Sequence, residues 1–131
     1  MLQPSFKNAL KRACAALALA YAAPANAAEP YVGIATWYGD ESGRYTANGE
    51  TYDADDQTCA HRTYPYDTLV RVTWQGRDGV TRSVICRVND RGPAKSTGAA
   101  IDLSRGSARV LRMLDAGRVH VTIEKLGKML E

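Results

Sequence analysis

The sequence predicts a mainly β domain in which six short strands close into a compact barrel that carries one short helix. Apolar residues recur at every second position in short segments, as in Val70, Val72 and Trp74, which is the period of a half-buried strand. Turn-forming Gly, Asp and Asn residues separate these segments, and a helical apolar period follows Ser104. With so few elements and no internal repeat, a single small barrel is the most economical architecture.

The first 27 residues are predicted to be a signal peptide, and residues 28–131 the barrel domain. Lys7, Lys11 and Arg12 precede an apolar run that ends at Ala25-Asn26-Ala27, the small residues that a signal peptidase recognises. The run is too short to span a bilayer, so the chain is expected to be periplasmic or secreted and not membrane-spanning. Removing the segment leaves 14 basic residues against 14 acidic ones. This balance argues against a nucleic-acid-binding protein.

The strands and loops follow in order along the chain. A first strand covers Tyr31 to Trp37, and the polar segment from Tyr38 to Gln57 is predicted to be a structured surface loop. A strand around Cys59 comes next. An Asp78-Gly79 turn then makes Leu69–Val88 a β-hairpin.

The C-terminal part combines a short strand, the helix and a last strand. The short strand is Ala100–Ser104, and Ser104 is expected to cap a helix that continues to about Leu114. Clean alternation in Arg118–Glu124 predicts the last strand, and Lys125–Glu131 is expected to be a frayed tail.

The two cysteines of the barrel domain, Cys59 and Cys86, are predicted to form one disulfide. An even number of cysteines in an exported domain of this size favours a bridge, although two free buried thiols remain an alternative. A metal site is not expected, because the chain has no CxxC pattern and only two histidines. No cofactor is expected either.

His61 and Asp90 are the candidate catalytic pair. His61 follows Cys59 by two residues and Asp90 follows Cys86 by four, so in regular strands each lies on the same face as its cysteine. A disulfide would therefore bring the two residues into one neighbourhood. Asp90 also continues the buried alternation of Val84, Cys86 and Val88. Burial of a carboxylate is costly, so a carboxylate there is expected to be ion-paired, hydrogen-bonded or functional.

Structural interpretations remain open for these residues. Asp90 before Arg91-Gly92-Pro93 also suits a turn or an ion pair, and a histidine such as His61 is often structural. Asp102 fits a structural acid that orients a neighbouring backbone group. Trp37 and Tyr38, next to the polar loop, are suited to stacking on sugars but could equally be core residues.

Four ordered segments resemble the rare lipoprotein A family: "GIATWYGDESGRYTANGETYD", "TCAHRTYPYDTLVRVT", "CRVNDRGP" and "AAIDLSRGSARVL". The resemblance covers about Val32 to Glu124. It implies a double-psi β-barrel related to the expansin and barwin-like barrels, and lytic transglycosylation of peptidoglycan. The key His and Asp of the family match His61 and Asp90.

The resemblance also implies the remaining functional assignments. Asp90 would be the single general acid/base, and His61 would orient either Asp90 or the leaving sugar, with no cofactor. The substrate-binding residues would be Trp37, Tyr38, Thr46, Asn48 and Asp102. The partner would be the glycan strands of peptidoglycan, bound by a monomer. Two alternatives remain: an expansin-like glycan-binding protein without enzymatic activity, and a small secreted interaction or inhibitory protein that uses the same barrel.

Overall fold

The computed structural model describes residues 29–130, so the predicted signal peptide lies outside the described residues. These residues form six strands and one α-helix, together with two short 3-10 turns at Asp40–Ser42 and Lys95–Thr97. The elements are β1 (Tyr31–Tyr38), β2 (Thr58–Ala60), β3 (Thr68–Gln75), β4 (Thr81–Asp90), β5 (Ile101–Ser104), α1 (Arg105–Val110) and β6 (Val119–Lys128). No helix within this part of the chain is long and apolar enough to cross a membrane.

The six strands close into a barrel in the order β1-β5-β2-β4-β3-β6, which confirms the predicted mainly β architecture. The pairs β1–β5 and β2–β4 are parallel, and the other four pairs are antiparallel. The predicted hairpin is also confirmed, because β3 and β4 pair continuously from Leu69–Arg87 to Gln75–Thr81. Closure leaves no free sheet edge, which protects the strands from pairing with other chains.

The core fills the barrel with the residues that alternate inward. Val70 and Val72 of β3 are fully buried, as are Ile101 and Leu103 of β5. Each such side chain contributes roughly 1.5–3 kcal/mol through the area that it removes from water. The alternation predicted for the last strand is confirmed for β6, in which Val121 and Ile123 are buried and His120 and Thr122 are exposed.

The helix begins as predicted but ends earlier. The side chain of Ser104 accepts a hydrogen bond from the Ser107 backbone N–H, which confirms the N-cap. The helix stops at Val110 rather than near Leu114 because Arg112 adopts a left-handed conformation with φ 57°. The helix also lies so close to the preceding loop that a Cβ atom on Gly106 would meet the Asp55 carbonyl oxygen, so only glycine fits there.

The predicted frayed tail is wrong for residues 125–128. These residues continue β6, and Lys125, Gly127 and Lys128 pair with Val70, Leu69 and Thr68 of β3. A register shift between Leu69 and Val70 lets the pairing continue along both strands. Ladder hydrogen bonds use backbone groups, so they form here in spite of the polar composition of the segment.

Candidate active site

Four residues that are paired in register across four neighbouring strands form a row that contains both candidate carboxyl groups. Thr36 of β1 pairs with Asp102 of β5, Asp102 pairs with Ala60 of β2, and Ala60 pairs with Asp90 of β4. Because neighbouring strands are about 4.8 Å apart, the Cα atoms of Asp90 and Asp102 are separated by roughly 10 Å. Ala60, which lies between the two carboxyl-bearing residues, has a small side chain and is 3% exposed. We call this row, together with Tyr38, the carboxylate groove.

The groove lies on the outer face of the barrel wall. Asp102 is half-buried between Ile101 and Leu103, which are both fully buried in the core, so its side chain points the other way. Thr36 shares this face and donates a hydrogen bond of 3.0 Å from Oγ1 to Oδ1 of Asp102.

The prediction that Asp90 continues the buried alternation of β4 is wrong. The register between β2 and β4 shifts so that Cys59 pairs with Val88 and Ala60 with Asp90, which leaves Asn89 as an extra residue in β4. Asn89 is 3% exposed, whereas Asp90 is only half-buried. The bulge therefore turns Asp90 away from the core and into the carboxylate groove.

Three donors hold the Asp90 carboxyl group. Its Oδ1 accepts hydrogen bonds of 2.9 Å from the backbone N–H groups of Ala47 and Arg91. Its Oδ2 accepts one of 3.2 Å from the hydroxyl of Tyr38. Both oxygens are thus fixed in position, one against the long loop between β1 and β2 and the other against the end of β1.

Tyr38 is 8% exposed and forms the floor beside Asp90. Its ring stacks on that of Tyr52 with centroids 4.9 Å apart, and the Tyr52 hydroxyl donates to the Tyr38 carbonyl at 2.9 Å. Burial, and then the charge of Asp90, raises the pKa of Tyr38 far above its usual value. Tyr38 therefore remains a hydrogen-bond donor throughout the physiological pH range.

The second carboxyl group, that of Asp102, has a pKa above the usual value for an aspartate. Burial raises the pKa of Asp102 from 3.8 to about 6; the hydrogen bond from Thr36 opposes this shift, and the charge of Asp90 adds to it. Near neutral pH a fraction of Asp102 therefore carries a proton inside the groove.

Thr46 and Asn48 shape the loop that reaches Asp90. Thr46 Oγ1 donates to Asn48 Oδ1 at 2.5 Å, and the Asn48 backbone N–H donates to the Asn89 carbonyl at 3.4 Å. These contacts place the N–H of Ala47, the residue between them, on the Asp90 carboxylate. Their predicted contact with substrate stays a prediction.

The structure joins His61 to Asp90 through the backbone and not through the ring. The His61 N–H donates to the Asp90 carbonyl at 3.2 Å. Nδ1 of the ring accepts from the backbone N–H groups of Thr63 and Tyr64 at 3.2 and 3.0 Å, while Nε2 lies 3.2 Å from the Tyr31 hydroxyl. Because Nδ1 is an acceptor, Nε2 carries the proton of the neutral ring.

His61 is also neutral at physiological pH. The residue is 7% exposed, and its ring stacks on that of Tyr64 with centroids 3.7 Å apart. Burial, followed by the positive charges of Arg62 and Arg91, lowers the pKa of His61 from 6.5 to about 4. The residue thus suits a positioning role better than proton transfer.

Trp37 is not brought to the carboxylate groove. It lies one residue out of phase with Thr36 and Tyr38, packs against the core, and donates from Nε1 to the Leu114 carbonyl at 3.1 Å. The contact ties the segment after α1 to β1.

Cys59 and Cys86 are fully buried side by side. The structure has them as thiols with their Sγ atoms 2.6 Å apart. The juxtaposition that the pairing requires is present, and the disulfide stays a prediction.

Sequence reasoning missed two contributors to the site. The backbone N–H of Ala47 has no sequence signature, because any residue could supply it. Arg62 donates from Nη1 to the carbonyls of Pro93 and Ala99 at 2.9 and 2.8 Å, which secures the segment between Asp90 and Asp102. Its position next to His61 was a signal that could have been used.

Within residues 29–130, no group of three His, Cys, Asp or Glu side chains is arranged to hold a metal ion.

Comparison with known proteins identifies the family. The profile of the family described as lytic transglycolase matches residues 31–123, which include β1 to β5, the first half of β6 and both carboxyl groups of the groove. The chain belongs to the lytic transglycolase family. The resemblance to rare lipoprotein A proteins is thereby confirmed.

The lytic transglycolase assignment agrees with the names of two relatives. The chain is 48% identical over 101 residues to the probable endolytic peptidoglycan transglycosylase RlpA of Nostoc sp., covering 75% of this chain and 26% of that protein. It is 46% identical over 104 residues to the endolytic peptidoglycan transglycosylase RlpA of Pseudomonas aeruginosa strain UCBPP-PA14, covering 77% and 29%.

The Streptomyces papain inhibitor has a similar structure, with a TM-score of 0.59, 26% identity, and coverage of 76% of this chain and 96% of that one. The chain spans about a quarter to a third of the length of the two RlpA proteins.

Proposed function

We propose that this domain cleaves the glycan strands of peptidoglycan as a lytic transglycosylase that forms 1,6-anhydro-muramoyl ends. The observation that carries the proposal is the placement of Asp90, whose carboxyl group is held by three donors on the outer wall of the barrel beside Asp102. Support comes from membership of the lytic transglycolase family and from two relatives named as peptidoglycan transglycosylases.

In the proposed mechanism, Asp90 is the single general acid/base. Protonated Asp90 donates its proton to the glycosidic oxygen as the bond from the muramoyl C1 to that oxygen breaks. The resulting carboxylate then takes the proton of the muramoyl C6 hydroxyl, whose oxygen bonds to C1. The net change moves one proton from O6 to the leaving sugar and regenerates the acid, so water is not consumed.

The neighbours of Asp90 have supporting roles in this proposal. Tyr38 and the Ala47 N–H hold the carboxyl oxygens in place during both proton transfers. Asp102, when ionised, stabilises the positive charge that develops on the sugar ring, as the second carboxylate does in glycosidases. His61 positions Asp90 through its backbone and does not itself exchange protons.

The proposed setting is the periplasm or the cell exterior, after cleavage near Ala27, with the domain acting as a monomer. Peptidoglycan lies outside the cytoplasmic membrane, so a chain that acts on it has to be exported. Cleavage after Ala27 is tested by N-terminal sequencing of the exported protein, and the monomer by its sedimentation coefficient.

The deciding experiment is product analysis of purified sacculi digested with the purified protein. Mass spectrometry is expected to find anhydro-muropeptides that increase with time. An expansin-like protein would instead bind sacculi without generating anhydro or reducing ends. Inhibition of papain without either effect would favour the inhibitory alternative, which the likeness to the Streptomyces papain inhibitor motivates.

A further inference from the structure

One arginine joins the two chain segments that carry the carboxyl groups of the groove. Nη1 of Arg62 donates hydrogen bonds to the carbonyl oxygens of Pro93 and Ala99 at 2.9 and 2.8 Å. Pro93 follows Asp90, the last residue of β4, by three positions. Ala99 precedes Asp102, in β5, by three positions. A single nitrogen atom therefore holds the connection between β4 and β5 near both of its ends.

The place of Arg62 in the fold follows from the short length of β2. This strand, Thr58–Ala60, lies between β4 and β5, and its last residue pairs with both Asp90 and Asp102. The chain then turns, and the ring of His61 accepts hydrogen bonds from two backbone N–H groups of that turn. Beyond His61, β2 no longer spaces the two segments, and the Arg62 side chain takes its place between them.

The charge of Arg62 is used for these carbonyl groups and not for an ion pair. Among residues 29–130 its guanidinium group forms no salt bridge. Both carbonyl groups belong to buried residues, and Ala99 is 1% exposed. A hydrogen bond from a charged donor is stronger than one between neutral groups, so the contact holds the two segments firmly together.

We propose that Arg62 is a positioning residue that fixes the distance between the carboxyl groups of Asp90 and Asp102. The proposal rests on the proposed function for the reaction, in which Asp90 transfers protons and ionised Asp102 stabilises the charge on the sugar ring. Both roles require the two groups to face one sugar residue at the same time, and a displacement of about 1 Å can lower a rate by about 10²-fold. The hydrogen bonds of Arg62 go to the backbone, so it acts through the two segments.

The first measurement compares the kinetics of Arg62→Met and wild type on soluble glycan strands prepared from sacculi. Methionine keeps an apolar stem and removes the donor, so we expect kcat to fall by about tenfold or more while KM changes by less than about twofold. Arg118→Gln is the matched control. Arg118 is exposed and donates at 2.7 Å to the carbonyl of Thr97, in the same connection, without joining its two ends. This control should keep wild-type kinetics.

The second measurement is an NMR titration of the Asp102 carboxyl carbon, which needs no substrate. The pKa of Asp102 depends first on burial, then on the hydrogen bond from Thr36 and the charges of Asp90 and Glu41. The charge of Arg62 is not among these causes, so a changed pKa in Arg62→Met reports a displaced side chain. Separation of the segments exposes Asp102 and moves it away from Asp90, and both effects lower its pKa from about 6. We expect a pKa lower by about 1 in this variant and an unchanged pKa in the control.

Two results would overturn the proposal. One is an Arg62→Met protein with a lower melting temperature but wild-type kcat and an unchanged Asp102 titration, which is the behaviour of a purely structural residue. The other is an equal loss of kcat in Arg62→Met and Arg118→Gln.

Arg62→Lys carries the comparison if Arg62→Met does not fold. Its side chain is one bond shorter and keeps the charge, so the same two changes are expected at smaller size, and a wild-type titration of Asp102 in this variant would again overturn the proposal. Failure of the proposed function would instead be seen as an absence of anhydro ends with the wild type. The titration of Asp102 would then still decide whether Arg62 positions the groove.

Discussion

The hydroxyl group of Tyr38 donates a hydrogen bond of 3.2 Å to Oδ2 of Asp90 and so joins the end of β1 to the end of β4. The two strands are not neighbours in the barrel, since β5 and β2 lie between them. The contact therefore spans the carboxylate groove and passes beside Asp102 and Ala60. It also fixes one of the two oxygens that the proposed mechanism uses.

Replacing Asp90 with Asn tests the chemical role of this carboxyl group. Asp90→Asn preserves the shape and removes the titratable proton, so turnover should fall by a factor of roughly 10² or more, the usual contribution of general acid–base catalysis. Release of anhydro-muropeptides measures this. Glycan binding and the melting temperature should stay near wild type. Asp40→Asn, at an exposed carboxylate, is the matched control. A stable Asp90→Asn protein with near-normal cleavage would exclude Asp90 from the mechanism.

Replacing Tyr38 with Phe removes the donor to Oδ2 and keeps the ring stacked on Tyr52. We expect turnover to fall by about 10- to 150-fold, since loss of a hydrogen bond to a charged group is worth about 1.5–3 kcal/mol. The Tyr52→Phe variant is the control. It removes the other hydroxyl of the stacked pair, which donates to the Tyr38 carbonyl and not to Asp90. Equal losses of turnover in the two variants would show that the contact with Asp90 has no special importance.

Replacing Asp102 with Asn should change how stability depends on pH. Because the folded-state pKa is raised from 3.8 to about 6, ionisation of Asp102 opposes folding. Its stabilising contribution is complete below pH 3.8 and is lost as the pH rises through about 6. A shift of about two units corresponds to about 3 kcal/mol.

The corresponding measurement is the melting temperature of wild type and Asp102→Asn from pH 4 to pH 8. The variant should gain stability relative to wild type as the pH rises and show little difference near pH 4. A difference between the two proteins that does not change with pH would contradict the raised pKa of Asp102. Asp53→Asn, at an acid outside the groove, provides the control for the loss of a carboxylate.

The disulfide between Cys59 and Cys86 is predicted to form in the exported protein. Alkylation of the denatured, non-reduced chain should then find no free thiol at either position. The bond closes a loop of about 28 residues, and in the chain-entropy model this stabilises the fold by about 3–4 kcal/mol. Reduction should therefore lower the melting temperature. Complete labelling of both cysteines before reduction would refute the prediction.

Much of the fold could be predicted from local sequence because local chemistry determines it. Period-two alternation identifies β3, β4 and β6, and the Ser104 side chain caps the helix that follows it. The end of the helix and the end of β6 could not be predicted in the same way. The first depends on the left-handed backbone of Arg112, and the second on pairing with β3, which is distant in sequence.

For the candidate site, the sequence by itself determined which residues are candidates, through the three motifs that contain His61, Asp90 and Asp102. Only the tertiary structure decided how they are arranged. It placed Asp90 on the outer wall through the Asn89 bulge, separated it from Asp102 by Ala60, turned the His61 ring toward Tyr31, and packed Trp37 against the core. The physical reason is that a strand residue faces one side or the other according to register, and register is set by pairing between distant segments.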